Sequence, residues 1–423
     1  MPVKRFDVGS WLDSPMSRRR LDLSQFADER AVVSEICARV GAEGDQALRE
    51  LGKKFDGWAP GPDESFEVPK ADLAAAAERL PAADRAALEF AAHRIRDFHV
   101  RQVEPPAIGP PGLKLVTRPV QRAGLYAPGG RAAYPSTVLM TAVPARVAKV
   151  AEVVLATPPR ADGSVPSAIL AAAHIAGVDA VYRMGGAQAV AALAYGTATI
   201  PRVDVVAGPG NIYVTLAKKE VFGAVGVDGI AGPTEVLVIA DEGARPDFVA
   251  ADLAAQLEHD PLAWAVLITN SSRLADRVEE ELESLVGGLE RKEIIRKASC
   301  CVIVADDLDQ AVHLANDFAP EHLLIVTADA ARLAAQVENA GAVFVGPYST
   351  VPLGDYVAGP NHTLPTSGAA RFSSPLGVHT FLKRTSVLSL NRGDLEMLGD
   401  ACVRLAEMEG LGAHAHAVEV RLE

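Results

Sequence analysis

Residues 152–197 read EVVLATPPRADGSVPSAILAAAHIAGVDAVYRMGGAQAVAALAYGT. A β-branched run (Glu152–Thr157) gives way to an Ala-rich amphipathic segment (Pro166–Ala176). A second short apolar run (Ala180–Met184), a glycine turn and another Ala-rich segment (Ala187–Tyr195) follow. The apolar runs have strand length and the Ala-rich segments have helix length. Parallel strands need long crossovers that helices supply, so this alternation predicts a parallel sheet covered by helices.

The alternation extends outward from there. Strands are expected at Val203–Val206, Glu235–Ala240, 264–269, 301–305 and 322–327. Helices are expected at Asn211–Phe222, 246–259, about 271–297 and 308–317. From about 24 to 100, apolar residues at helical spacing (Val32, Val33, Ile36, Val40, Leu48) and an Ala-rich stretch after Pro69 predict helices. Residues 1–23 are polar and read as an arm, with the basic run Arg18, Arg19, Arg20 solvated. EPPAIGPPGLK at 104–114 breaks the pattern, and beyond about 376 the chain turns helical again.

At 423 residues the chain exceeds what one hydrophobic core usually serves, so two or more domains are expected. Apolar residues make up 49% and charged residues 22%, ordinary globular usage. A net charge of −13 leaves no broad basic surface, which argues against nucleic acid as a partner and for small molecules. Cys37, Cys300, Cys301 and Cys402 show no C-x-x-C spacing, so reduced, mostly buried thiols are expected. No signal-peptide core and no membrane-length apolar window occur, which makes cytoplasm the default compartment with no membrane partner.

Four places could carry chemistry. Gln256 and His259 are three residues apart on a predicted helix, ahead of Asp260-Pro261, and could supply two ligands or simply form a polar helix end. In NDFAPEHLLIVT, Glu321 and His322 stand where a loop enters an apolar run. Imidazole and carboxylate together can shuttle a proton and activate water, but the same pair also suits a solvated corner. GDYVAGPNHTLPT at 354–366 gathers Asp355, Asn361 and His362 among turn formers; the turn explains the Asp and Asn, not the histidine.

The tail carries Glu409, His414 and His416. If residues 413–420 are extended, the two histidines share a face, and locally both read as solvated. Nitrogen and oxygen donors of this kind suit Zn²⁺, Mn²⁺ or Co²⁺ alike. No G-x-G-x-x-G or P-loop occurs. Glycine turns at YAPGGR (126–131), MGGAQA (184–189) and AGPGNIY (207–213) could each hold a phosphate or serve as plain βα turns.

Taken together, GLYAPGGRAAYPSTVLMTAVPA, GGAQAVAALAYGT, VAGPGNIYV, AGPTEVLV, QLEHDP, APEHL, GDYVAGPNHTLPT, FSSPLGV and the EGLGAH tail resemble the histidinol dehydrogenases over nearly the whole chain. The resemblance implies an α/β fold of two incomplete Rossmann-like domains with a short N-terminal arm and a helical C-terminal tail, in an intertwined homodimer with shared active sites. Its expected divisions are an arm (1–23), a first α/β domain (24–125 plus 234–376), an inserted NAD-binding domain (126–233) and an exchanged tail (377–423).

The implied activity is oxidation of L-histidinol to L-histidine in two NAD-dependent hydride transfers, with the aldehyde retained between them. By the same resemblance Gln256, His259, Asp355 and the partner's His414 bind Zn²⁺, which selects His414 over His416. His322 is the base for the alcohol proton and Glu321 the base for water. Thr234, His362 and Glu409 join the metal ligands and His322 as substrate contacts, while Tyr126, Gln188 and Asn211 contact NAD. Two departures stand out: Thr234 replaces the family's usual serine, and the tail reads AHAHAV where AHKNAV is commoner. Competing readings are a paralogue acting on another small alcohol such as a sulfonated diol, a metal-dependent hydrolase, and a silent binding protein of this fold.

Overall fold

A computed structural model describes residues 3–18, 20–62, 64–129 and 133–423. Arg19 of the basic run and the last two residues of YAPGGR lie outside the described residues.

The chain forms two compact units, one from residues up to Gln102 with Val120–Phe381, the other from Val103–Pro119 with Leu382–Glu423. The larger unit contains two parallel sheets. One has five strands in the order Ala180–Arg183, Glu152–Thr157, Arg122–Tyr126, Val205–Ala207, Gly226–Val227. The other has six, ordered Val3–Asp7, Ser299–Val304, Trp264–Thr269, Glu235–Ala240, His322–Val326, Ala342–Val345. The α/β parallel architecture predicted from residues 152–197 is therefore the observed one. The central strand Glu235–Ala240 is buried at every residue, as a strand covered on both faces must be.

The core divides accordingly. Two apolar clusters occupy the faces of the six-stranded sheet. A third joins the five-stranded sheet to Val33, Ile36, Val40, Leu48 and Leu51 of the helices Ala27–Glu43 and Asp45–Phe55. The first part of the chain thus packs on the five-stranded sheet, whereas the expected division groups it with residues 234–376. Helical periodicity shows which face a helix buries but not against which sheet.

Three further expectations are corrected. The supposed arm begins with an edge strand, Val3–Asp7, and a helix, Val8–Asp13. Lys4 and Arg5 gave that segment a polar look, which is how edge strands are commonly protected. Arg5 reaches Asp276 at 2.5 Å. After a single 3-10 turn, Val378–Phe381, the tail continues not as helix but as the strand Leu382–Leu388, antiparallel to Leu113–Pro119, which in turn pairs with Ala107–Ile108. That strand is exposed at every residue after Leu382, so it carries little apolar signal. Finally, the helix expected over 246–259 is Pro246–Leu257. Asp260 precedes Pro261, and that proline biases it away from helical geometry, so His259 falls in the bend before it.

The smaller unit ends in two helices, Arg392–Met408 and Gly412–Leu422. Among the described residues no helix is long and apolar enough to cross a membrane. All four cysteines are free, with Cys402 exposed and the others buried.

Candidate active site

The helix Leu308–Phe318 ends at Ala319, which adopts a left-handed conformation (φ 54°) and turns the chain through Pro320 into Glu321 and the strand His322–Val326. That strand lies beside Glu235–Ala240, with His322 opposite Val236. The register brings Thr234 and Glu235 against Glu321, 87 positions after Thr234 in sequence.

The buried Glu321 carboxylate accepts two hydrogen bonds on Oε2, from the Thr234 hydroxyl at 2.5 Å and from the Glu235 amide at 2.8 Å. Thr234 Oγ1 in turn accepts from Gln256 Nε2. One hydroxyl is both donor and acceptor here, so it bridges the amide and the carboxylate. This bridge would be lost in Thr234→Val, leaving Glu321 short of a donor, while Thr234→Ser would keep it. We expect kcat/KM to fall about tenfold or more in the valine variant and to stay near wild type in the serine variant, measured by steady-state kinetics.

His322 Nδ1 lies 3.1 Å from the Glu235 carbonyl oxygen and 3.5 Å from Glu321 Oε2. A carbonyl only accepts, so the ring hydrogen sits on Nδ1. Nε2 is buried, makes no hydrogen bond, and lies 3.6 Å from Asp355 Oδ1. Burial alone would depress the imidazole, but the Glu321 and Asp355 carboxylates outweigh it and push it up to about 9. A cation on Asp355 would remove part of that lift and free the Nε2 lone pair near neutrality. Burial raises Glu321 above the usual carboxylate range despite its hydrogen bonds and the neighbouring imidazole. A carboxylate so raised is a better base toward water.

Asp355 stands on the short helix Val351–Tyr356. Gly354 before it has no room for a side chain, since a Cβ there would come within 2.6 Å of the Phe344 ring, which also flanks His322. Burial would raise Asp355, but His322, His362 and His259 together draw it below its ordinary value. His362 Nδ1 donates to the Asp355 backbone carbonyl at 2.9 Å, and burial keeps the ring below the ordinary histidine value. Its Nε2 is 3.4 Å from Thr137 Oγ1. Asn361 is buried, its Nδ2 donating to the Met140 carbonyl at 2.6 Å and its Oδ1 accepting from Thr363. Thr137 and Met140 belong to the helix Pro135–Val147, which follows the strand Arg122–Tyr126 of the other sheet. The polar loop is thereby fastened to both sheets.

Among the described residues no three His, Cys, Asp or Glu side chains converge on a metal position. The chemistry of the available donors suits a cation as a mixed set. Gln256, 2% exposed, has its amide nitrogen committed to Thr234, which leaves Oε1 free to accept. Asp355 and His259 interact electrostatically. An amide oxygen, an imidazole and a carboxylate would suit three positions of a tetrahedral zinc site and leave a fourth for another donor. Glu409 and His414 belong to the smaller unit and are exposed there. Residues 412–422 are helical rather than extended, so His414 and His416, two positions apart, point roughly 200° apart. They do not share a face.

In the five-stranded sheet the chain leaves Arg122–Tyr126 for Glu152–Thr157 on one side, while Val205–Ala207 lies on the other. Ligands in such sheets bind at the carboxyl ends of the strands where the order reverses. Tyr126 ends one of these strands, and Asn211 follows the other through Gly208-Pro209-Gly210. Gly208 has φ 124°, and a Cβ there would collide with the Tyr126 carbonyl. Its amide donates to Asp228 Oδ2 at 2.8 Å and its carbonyl accepts from Lys218 Nζ at 3.1 Å, the two side chains forming a buried ion pair. Asn211 caps the helix Ile212–Val221 through Oδ1, leaving Nδ2 for a ligand. Gln188 is buried in the first turn of Gly186–Tyr195, and the Tyr126 hydroxyl, itself on a side chain 3% exposed, accepts from the Gly186 amide at 3.1 Å. By contrast, Glu321 and His322 stand at the amino ends of their sheet, opposite the end where that rule places ligands.

Glu235 and Asp56 were missed by sequence reasoning. Glu235, wholly buried, holds the Ser367 amide through Oε1 and presents its backbone to both Glu321 and His322. It stands at the head of an apolar strand run, where nothing local marks it as more than a strand end.

The sequence profile described as histidinol dehydrogenase matches residues 18–422. The histidinol dehydrogenase of Parasynechococcus marenigrum is 51% identical over 412 residues, covering 96% of this chain and 93% of the relative. That of Aquifex aeolicus is 51% identical over 397 residues, covering 92% and 91%. The crystal structure of histidinol dehydrogenase from Elizabethkingia anophelis superposes with a TM-score of 0.89 at 33% identity, covering 99% of this chain and 98% of the other. With that coverage at both levels, the chain is an oxidoreductase that belongs to the histidinol dehydrogenase family.

Proposed function

We propose that the enzyme oxidises L-histidinol to L-histidine through L-histidinaldehyde, in two NAD-dependent hydride transfers at a zinc site, as the last step of histidine biosynthesis. The observation that carries this reading is the buried chain Gln256–Thr234–Glu321–His322, ending in an imidazole Nε2 with no hydrogen-bond partner.

Gln256, His259 and Asp355 hold the zinc, with His414 contributed by the partner subunit of a homodimer. When bound, zinc would supply a Lewis-acid anchor for the substrate and NAD would supply the hydride acceptor. His322 takes the alcohol proton at Nε2 while the Glu235 carbonyl holds its ring in place. Glu321 then takes a proton from the water that adds to the aldehyde, with Thr234 and the Glu235 amide fixing the carboxylate. His362, Glu409 and His414 complete the substrate contacts. Tyr126, Gln188 and Asn211 bind the dinucleotide at the strand-order reversal.

The test is NADH yield. The metal-loaded enzyme is expected to form two NADH per histidinol consumed, to lose that activity on chelation and to regain it with zinc. Turnover of another alcohol with none of histidinol would instead favour the diol paralogue, and hydrolysis without NADH would overturn the oxidoreductase chemistry.

A further inference from the structure

Asp56 closes the helix Asp45–Phe55, far in sequence from any residue discussed as a ligand contact. Its Oδ2 accepts two hydrogen bonds, from the Gly185 amide at 3.1 Å and from Gln188 Nε2 at 3.2 Å. Gly185 admits no side chain, since a Cβ there would lie 2.7 Å from Asp56 Oδ1 and 2.8 Å from Pro158. The adjacent Gly186 amide is held by the Tyr126 hydroxyl. The turn between the strand Ala180–Arg183 and the helix Gly186–Tyr195 is thus gripped from two sides, by a carboxylate from the N-terminal helices and by a phenol from a nearby strand of the same sheet.

The carboxylate does more than hold the turn. A primary amide can face a neighbour with either its oxygen or its nitrogen, but an ionised carboxylate only accepts. Asp56 therefore forces Gln188 to present NH₂ to it and leaves Oε1, lying over Gly186, as the free atom. The geometry points to Asp56 as a positioning residue for the dinucleotide: it fixes the Gln188 amide so that Oε1 accepts a hydrogen bond from a hydroxyl or amide of NAD. This rests on the cofactor reading above and names the group that sets the site's polarity.

Asp56→Ala tests this role, with Asp56→Asn as the conservative control. An asparagine oxygen can stand where Oδ2 does and accept from both Gly185 and Gln188, so Asp56→Asn should keep NAD affinity near wild type. Alanine offers no acceptor, so the Gln188 amide is released to turn and Oε1 leaves its place. NAD affinity of Asp56→Ala, measured by fluorescence titration of the full-length, zinc-loaded enzyme, is expected to weaken about tenfold or more. KM for histidinol should change less than about twofold, with zinc content near wild type. Unchanged NAD affinity in Asp56→Ala, a parallel worsening of NAD affinity and histidinol KM in that variant, or an equal loss of NAD affinity in Asp56→Asn, would overturn the role of Asp56. A wild-type enzyme that binds no NAD would overturn the cofactor reading itself.

Discussion

Glu321→Gln is expected to yield a single NADH per active site when rapidly mixed with histidinol and excess NAD, against two for the wild type. The substitution preserves size, and the glutamine oxygen can still accept from the Thr234 hydroxyl and the Glu235 amide, so the local fold should persist. An amide cannot take a proton from water, however. The second oxidation should therefore slow by about 10²–10⁴-fold while the first proceeds. His322→Asn should show the reverse order. The asparagine NH₂ can still donate to the Glu235 carbonyl, but nothing replaces Nε2, so histidinol oxidation should fall by a similar factor of about 10²–10⁴ while added histidinaldehyde is still oxidised. Equal losses in both half-reactions for both variants would mean that the pair acts as one acid–base unit, and the division of roles would be abandoned.

The second large effect concerns the metal. Asp355→Ala removes the carboxylate that faces His322 and interacts with His259 and His362. Zinc affinity, measured by competition with a chelating dye, should drop by more than the roughly 10–100-fold typical of losing an outer-shell partner. His414→Ala, or truncation before Glu409, should do likewise. His416→Ala should leave the affinity unchanged, because the helix Gly412–Leu422 turns that residue to the other side. Undiminished metal content in the truncated protein would refute a ligand from the tail. The proposed sharing of sites between subunits would have its own signature. Mixing Asp355→Ala with His414→Ala, each inactive alone, should restore about a quarter of wild-type activity, since random pairing makes half the dimers mixed and each of these has one intact site. No recovery after verified subunit exchange would place the tail in its own subunit's site.

Much of this site was legible in the sequence. Asp355 and His362 fall in a stretch where turn formers replace apolar periodicity, and Glu321-His322 interrupts the entry to an apolar run. Such residues stand out because local burial does not account for them. The histidine choice in the tail was different. Spacing left His414 and His416 equivalent; the family resemblance selects His414, and the observed helix shows that the two do not share a face.

The sequence by itself determined the class of fold, since strand and helix periodicities are local properties that residues 152–197 display in full. It also supplied the inventory of acid–base and metal-binding groups, because side-chain chemistry needs no neighbours to be recognised. Tertiary structure alone decided which groups meet. Thr234 and Glu235 reach Glu321 only through the pairing of two strands, and Asp56 reaches Gln188 only because the first helices pack on the five-stranded sheet. Strand register and helix docking are chosen by burial of surface between segments distant in sequence, a condition that no local pattern encodes.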